Sequence, residues 1–321
     1  MGVTTASGES WKLQRNLVTR FMRSFIIGKA GFQSSISQEV NSLIQELKKL
    51  NGKSFKPVHL FHNAVSNIIC SVVYGTRYEY DDPKFKELLG LSLRTFELLG
   101  SGGILFFMPF AHLVAGVIPS LREISQNFRK HNEFTQEALL EHQEDLEGQS
   151  NPRDFLDLCL ATSLWTRNSH ISMDDMKATV GDLFFAGTET TATTLRWSLV
   201  YMMAHPQIQA RVQQEMDSVV GRDRLPQMSD KPNLPYTEAT ILEVQRISNV
   251  VPLGMPHLAR EDTTLMGYSI PKGTILIPNF WALGRDPEVW PEPHLFRPER
   301  FLDKAGLVTK QDEFVPFSVG K

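Results

Sequence analysis

Through the first two thirds of the chain, apolar residues recur three and four positions apart with charged residues between them. That spacing aligns one face of an α-helix and predicts helices over residues 11–25, 36–50 and 121–146. The longest patterned stretch is residues 172–206, SMDDMKATVGDLFFAGTETTATTLRWSLVYMMAHP. Ser172 followed three residues later by Asp175 starts it as a capping box, and Pro206 stops it. With a rise of about 1.5 Å per residue it would extend roughly 50 Å. Asp182, Glu189 and Arg196 inside it argue against a membrane span.

The pattern changes after Pro252. Residues 263–284, TTLMGYSIPKGTILIPNFWALG, read as two short β-rich runs joined by the turn Pro271-Lys272-Gly273. Prolines then crowd residues 286–300, DPEVWPEPHLFRPER, and exclude regular helix there. Residues 147–154, EGQSNPRD, form a loop. The expected fold is mainly α with small β-sheets. No repeat, low-complexity tract or flexible linker interrupts it, so residues 1–321 are read as one domain.

Composition narrows the function classes. Hydrophobic residues make up 41% of the chain, enough for a sizeable core. Lys and Arg total 33 against 36 Asp and Glu, which gives no nucleic-acid surface. The two cysteines, Cys70 and Cys159, are too few for a disulfide framework; each sits in an apolar helical run and reads as a buried thiol. No apolar run is long enough to cross a bilayer, and no signal peptide opens the chain. Residues 104–118, ILFFMPFAHLVAGVI, are apolar but short and broken by Pro109. They suit a core helix pair, a segment dipping into a membrane surface or the cover of a greasy pocket. Both ends of the chain read as cut, since the opening MGVTTASGESWK resembles the middle of a protein and the close FVPFSVGK is a turn with nothing behind it.

Candidate chemistry concentrates in three places. Within 172–206 lies Ala186-Gly187-Thr188-Glu189-Thr190-Thr191, a Gly and Thr run that costs helical stability and needs compensation. Small Ala186 and Gly187 would let a flat ligand approach the backbone. The Thr190 hydroxyl can bond back to the Ala186 carbonyl, and Glu189 beside it offers a proton. A core helix with tolerated threonines is the plain alternative. Second, Glu243 and Arg246 share a helical face with Ala239, Thr240, Ile247 and Val250, which makes them either a buried ion pair in need of more partners or a surface ornament. Arg300 is the candidate third member. Third, His59 and His62 have metal-like spacing but no third ligand, and read as surface residues.

Taken in order, the Ala-Gly-x-Glu-Thr-Thr helix, Glu-x-x-Arg, Pro-Glu-Arg-Phe and Pro-Phe-Ser-x-Gly resemble the cytochrome P450 haem-thiolate monooxygenases. Segments such as WKLQR, PRDFLD and PYTEATILEVQRISNVVPLGMPH are similar to family 2 of the animal enzymes, nearest its J and U subfamilies. The resemblance implies a cytochrome P450 fold incomplete at both ends. It implies haem b (iron protoporphyrin IX) as cofactor, with Trp11, Arg15 and His257 serving its propionates. It also implies that Ala186, Gly187, Phe317 and Gly320 lie at the haem, with Glu189 and Thr190 as the acid–alcohol pair relaying protons to dioxygen. Glu243, Arg246 and Arg300 become a structural network. The axial cysteine of the family's F-x-x-G-x-R-x-C-x-G loop would fall beyond Lys321, which would leave the chain as given inactive.

Further implied are an NADPH-dependent reductase, a hydrophobic small-molecule substrate such as a fatty acid or xenobiotic, and a membrane surface, that of the endoplasmic reticulum facing the cytosol. Two rival readings remain: a haem-thiolate isomerase or lyase, which has no need of the Glu189–Thr190 relay, and a truncated non-catalytic binding protein.

Overall fold

In the computed structural model, residues 1–26, 30–102, 118–145, 152–162, 171–309 and 311–318 are described. Most of the apolar stretch 104–118, part of the loop 147–154 and Gly320 lie outside them. The described part is mainly helical, with two small two-stranded sheets. Its contacts divide it into two compact units, Met1–Ala192 and Thr193–Lys321.

The first unit holds α1 (Gly8–Phe21), α2 (Ala30–Lys49), α3 (Pro57–Val73), α4 (Pro83–Gly102), α5 (Pro119–Asp145), α6 (Phe155–Ala161) and the greater part of α7 (Met173–Ala204). Leu17 and Phe21 of α1, one turn apart, enter a core with Cys70, Val73, Phe85, Leu139, Phe155, Met176 and Phe184. Phe21 stacks on Phe25 at 5.0 Å and meets Phe155 at 4.8 Å. The helix expected through residue 25 keeps its α form only to Phe21; Met22–Ile26 forms a wider π turn. Ile118, the described edge of the apolar stretch, packs with Leu98, Leu121 and Ile124.

The start of α7 is the capping box read from sequence. The Ser172 N–H donates to Asp175 Oδ2 at 2.8 Å, and the Asp175 N–H donates to Ser172 Oγ at 3.1 Å. Before α6, one carboxylate does two jobs. Asp154 Oδ1 caps the helix by accepting from the Asp157 N–H at 2.9 Å, while Oδ2 lies 3.0 Å from His142 Nε2 of α5. Gly75 sits against that oxygen with φ +64°, and a Cβ there would come within 2.4 Å of Asp154 Oδ2.

In the second unit, α8 (Pro206–Val219) precedes α9 (Pro235–Ser248), whose two faces serve two clusters. Tyr236, Val244 and Ile247 join Ile208 and Phe296, whereas Ala239 and Leu242 join Trp290 and Phe301. The proline-rich stretch contains no α-helix, only the 3-10 turn Pro298–Phe301.

The β region departs from expectation. β2 (Thr263–Leu265) and β3 (Tyr268–Ile270) are antiparallel, joined by Met266 and Gly267, both at positive φ. Such a two-residue turn matches the twist of paired strands. Pro271-Lys272-Gly273 instead leads from β3 to β4 (Ile275–Leu276), which pairs with β1 (His257–Leu258). The expected turn is thus present, with the Thr274 N–H donating to the Pro271 carbonyl at 3.1 Å, but the first expected run is itself folded into a hairpin and the strands on either side of the expected turn pair elsewhere.

The hydrogen bond from Asp154 raises the His142 imidazole above its ordinary pKa of 6.5. A raised folded-state pKa contributes stability that is fully present below pH 6.5 and lost as pH climbs through the folded value. His142→Asn should therefore lower the thermal midpoint most at pH 5.5–6.5, with the gap to wild type narrowing above neutrality. A gap that stays constant or widens with rising pH would show that the pair carries no proton-linked stability.

Candidate functional site

Thr190 Oγ1 donates to the Ala186 carbonyl at 2.7 Å, one turn back along α7. Such back-bonding competes with the helix's own ladder and tends to bend it. Phe184, Phe185, Thr188 and Ala192 are buried around this turn, while Ala186 is exposed. The run of small and β-branched residues therefore has one packed side and one open side.

Gly187 has a packing reason for lacking a side chain. A Cβ there would lie 2.7 Å from Ile69 Cδ1 of α3, so the glycine lets α3 approach α7. Ala186 is the small residue left facing open space. Beside both lies an apolar cavity of about 270 Å³ between Phe21, Met22, Ile69, Val72, Leu183 and these two residues.

Glu189 has a partner that the sequence reading missed. His62 of α3 is buried at 1% exposure, and its Nε2 bonds Glu189 Oε2. The surface reading of His62 is thus corrected, whereas His59 is exposed as expected. The signal was present in the spacing: Val58, His62, Val65, Ser66 and Ile69 fall on one helical face, the one that meets α7.

Trp11 and Arg15 lie one turn apart on α1, and the Arg15 guanidinium sits 5.2 Å above the Trp11 ring. Gln14, on the adjoining side of the helix, is buried and accepts from Thr179 Oγ1 at 2.6 Å. Trp11 is half-buried and Arg15 exposed, so a cation held by an aromatic face is offered to solvent. These residues, with Ala186, Gly187, Glu189 and Thr190, belong to the first unit. His257, exposed in β1, and Phe317, 86% exposed, belong to the second.

Glu243, Arg246 and Arg300 come together in the second unit, all buried. Arg246 grips both oxygens of Glu243 at 2.7 Å, and Arg300 Nε donates to Oε1 at 3.2 Å. The Arg297 N–H adds a bond to the same oxygen at 2.9 Å. The surplus positive charge is spread over carbonyls: Arg246 donates to Gly284 at 2.6 Å, and Arg300 donates to Pro291, Glu292 and Leu295. Burial foremost, with the neighbouring Arg246 charge, pulls Arg300 below the usual arginine range, and Glu243 opposes that pull.

Neither cysteine is available as an open ligand. Cys70 and Cys159 are fully buried, and burial pushes both thiols well above their ordinary range. His142, Asp154 and Asp157 place possible ligand atoms within 4.8 Å of one another. Those atoms are engaged: Asp154 holds His142 and the α6 cap, and Arg153 binds Asp157 at 2.7 Å. The Arg153 guanidinium engages both oxygens of Asp157.

The cytochrome P450 family model matches residues 1–321. The chain is 39% identical to cytochrome P450 2U1 of Bos taurus over 98% of its length and 58% of that protein. It is 39% identical to cytochrome P450 2J2 of Homo sapiens and 38% identical to cytochrome P450 2J5 of Mus musculus, over 100% of the chain and 64% of each. The chain thus spans about three-fifths of the length of the curated relatives it matches.

Removing Glu243 would leave two guanidinium groups buried without their counter-charge. Glu243→Ala should cost about 3–5 kcal/mol, the usual penalty for breaking a buried pair, and lower the yield of folded protein. A urea-unfolding midpoint equal to wild type would show that the carbonyls alone satisfy both arginines.

Proposed function

The chain belongs to the cytochrome P450 family, and we propose that it forms part of a haem-dependent monooxygenase that inserts one oxygen atom of O2 into a hydrophobic substrate. The observation that carries this reading is the Thr190–Ala186 back-bond beside Glu189. A hydroxyl diverted from the helix surface, with a carboxyl next to it in sequence, is what proton delivery requires. An isomerase or lyase would leave that arrangement without a task.

The donor set suits haem b. Arg15 presents a guanidinium braced on Trp11, fit to hold a propionate carboxylate. Ala186 leaves one side of α7 free for a flat apolar body. When bound, the haem supplies the iron at which oxygen is activated, and a thiolate ligand favours O–O cleavage. That thiolate is neither Cys70 nor Cys159, because both thiols lie in the core of the first unit and resist ionisation.

The residues of this chain then have separate tasks. Arg15 and Trp11 anchor the cofactor's acidic edge. Glu189 holds a proton, and the Thr190 hydroxyl passes it on by exchanging its bond to Ala186 for one to the next acceptor. The network around Glu243 keeps the second unit rigid without touching substrate. Electrons come from an NADPH-dependent reductase at the cytosolic face of the endoplasmic reticulum membrane. No described helix is long and apolar enough to cross a membrane. A fatty acid or a xenobiotic of similar greasiness is the substrate class we propose, in keeping with the apolar cavity beside Ala186 and Gly187.

In the whole monooxygenase of which this chain is proposed to form part, loaded with haem and coupled to its reductase, Thr190→Ala should retain haem and substrate affinity while sending most reducing equivalents to peroxide. Product formed per NADPH should fall several-fold, and an unchanged ratio would exclude Thr190 from proton delivery. The 321-residue chain mixed with haem should not give the thiolate-type spectrum of a reduced carbon monoxide complex. If such a spectrum appears and is lost in Cys70→Ser or Cys159→Ser, the assignment of those thiols to the core is wrong.

A further inference from the structure

We infer that His62 is a positioning residue for Glu189, and that the two side chains share one proton held ready beside Thr190. The inference rests on the monooxygenase reading for its purpose, but the geometry behind it is independent of that reading.

The two nitrogens of His62 face two oxygens of different kinds. Nδ1 lies 2.8 Å from the Val58 carbonyl oxygen, one turn earlier on α3. A carbonyl can only accept, so Nδ1 carries the hydrogen. Nε2 faces Glu189 Oε2 on α7 within hydrogen-bond reach. With Nδ1 protonated, a neutral ring has only a lone pair at Nε2, which would point at a lone pair of an ionised carboxylate. The contact closes only if a proton lies between them, either on Nε2 as an imidazolium–carboxylate pair or on Oε2 as two neutral groups. Both descriptions hold the same single proton, and both leave the pair neutral.

The placement suits a proton store. The imidazole is almost wholly shut from solvent, at 1% side-chain exposure, whereas Glu189 retains 17%. One end of the pair is therefore fixed in the core between α3 and α7, and the other reaches toward the open side of α7. The next residue is Thr190, whose hydroxyl rests on Ala186. In a transfer, Nε2–H breaks as Oε2–H forms, with no change in net charge. When Glu189 passes its proton on, the carboxyl O–H breaks and an O–H forms on the accepting oxygen. The pair then carries one negative charge until a water-borne proton replaces the one lost. Lone pair facing lone pair in that state pushes the carboxylate from the ring and toward solvent, which favours reloading.

A purely structural role, fastening α3 to α7, predicts the same hydrogen bond but no kinetic consequence for proton delivery. The first test is spectroscopic and needs no cofactor. In the 321-residue chain labelled with 15N-histidine, the His62 signals are identified by their loss in His62→Gln. At neutral pH, either both ring nitrogens carry hydrogen, or the infrared spectrum shows a protonated carboxyl band that disappears in Glu189→Gln. A neutral ring with a bare Nε2 opposite an ionised Glu189 would overturn the shared proton.

The second test uses the haem-loaded, reductase-coupled protein. His62→Gln keeps a hydrogen-bonding side chain but no titrating ring, and should lower product per NADPH several-fold while leaving substrate KM near wild type. If Glu189→Gln and Thr190→Ala lower that ratio and His62→Gln does not, the positioning role is overturned. If none of the three lowers it, the relay reading itself fails, and the ring spectrum alone then decides whether the proton is shared.

Discussion

A carboxylate with no solvent exposure, gripped by one arginine through both oxygens and by a second through one, is the constraint on which the second unit depends. Burying that charge is tolerable only because both carboxylate oxygens and most guanidinium hydrogens have an assigned partner. The partners come from α9, from the segment around Gly284, and from the proline-rich stretch through Arg300. A stretch that cannot form regular structure is thereby given fixed coordinates: its carbonyls have no sheet or helix to join, and they satisfy arginines instead. Trp290 completes the arrangement, donating its Nε1–H to the Leu283 carbonyl at 3.0 Å and lying 5.4 Å from the Arg246 guanidinium.

The centre of α7 is organised on a different principle. There, helix stability is traded for access. Gly187 allows α3 close, Thr190 diverts a hydroxyl onto the backbone, and Ala186 leaves a side open. Each choice is unfavourable for an isolated helix. The cost is met by the aromatic cluster beneath, where Phe184 and Phe185 sit among His131, Tyr74 and Phe128. One face of the helix is heavily buried so that the other can be irregular.

Much of this was legible in the residues, and the reasons differ by element. The long helix was readable because its start and stop signals are local: Ser172 and Asp175 bond each other, and Pro206 begins the next helix. The Glu243–Arg246 pair was readable because both residues lie on one turn with apolar neighbours. Arg300, more than fifty residues away, was a candidate third member because a buried pair needs further partners, and the family pattern carries an arginine there; nothing local points to it. The turn at Pro271-Lys272-Gly273 was readable from its Pro and Gly, whereas the second turn, at Met266-Gly267, was not, because Met266 adopts a positive φ that its side chain does not advertise. His62 was misread because the histidines were weighed as a metal pair, when the useful question was which side of α3 each one occupies.

The double use of Asp154 has a consequence for how this protein can vary. Asparagine at that position would cap α6 about as well but would bring no charge to His142. Glutamate would bring the charge but is too long to cap from the same backbone site. Gly75, pressed against the same oxygen at positive φ, admits no side chain while the carboxylate is there. Positions 75, 142 and 154 are therefore coupled through one carboxylate: a change at any of them alters contacts that the other two share, so substitutions there should not act independently.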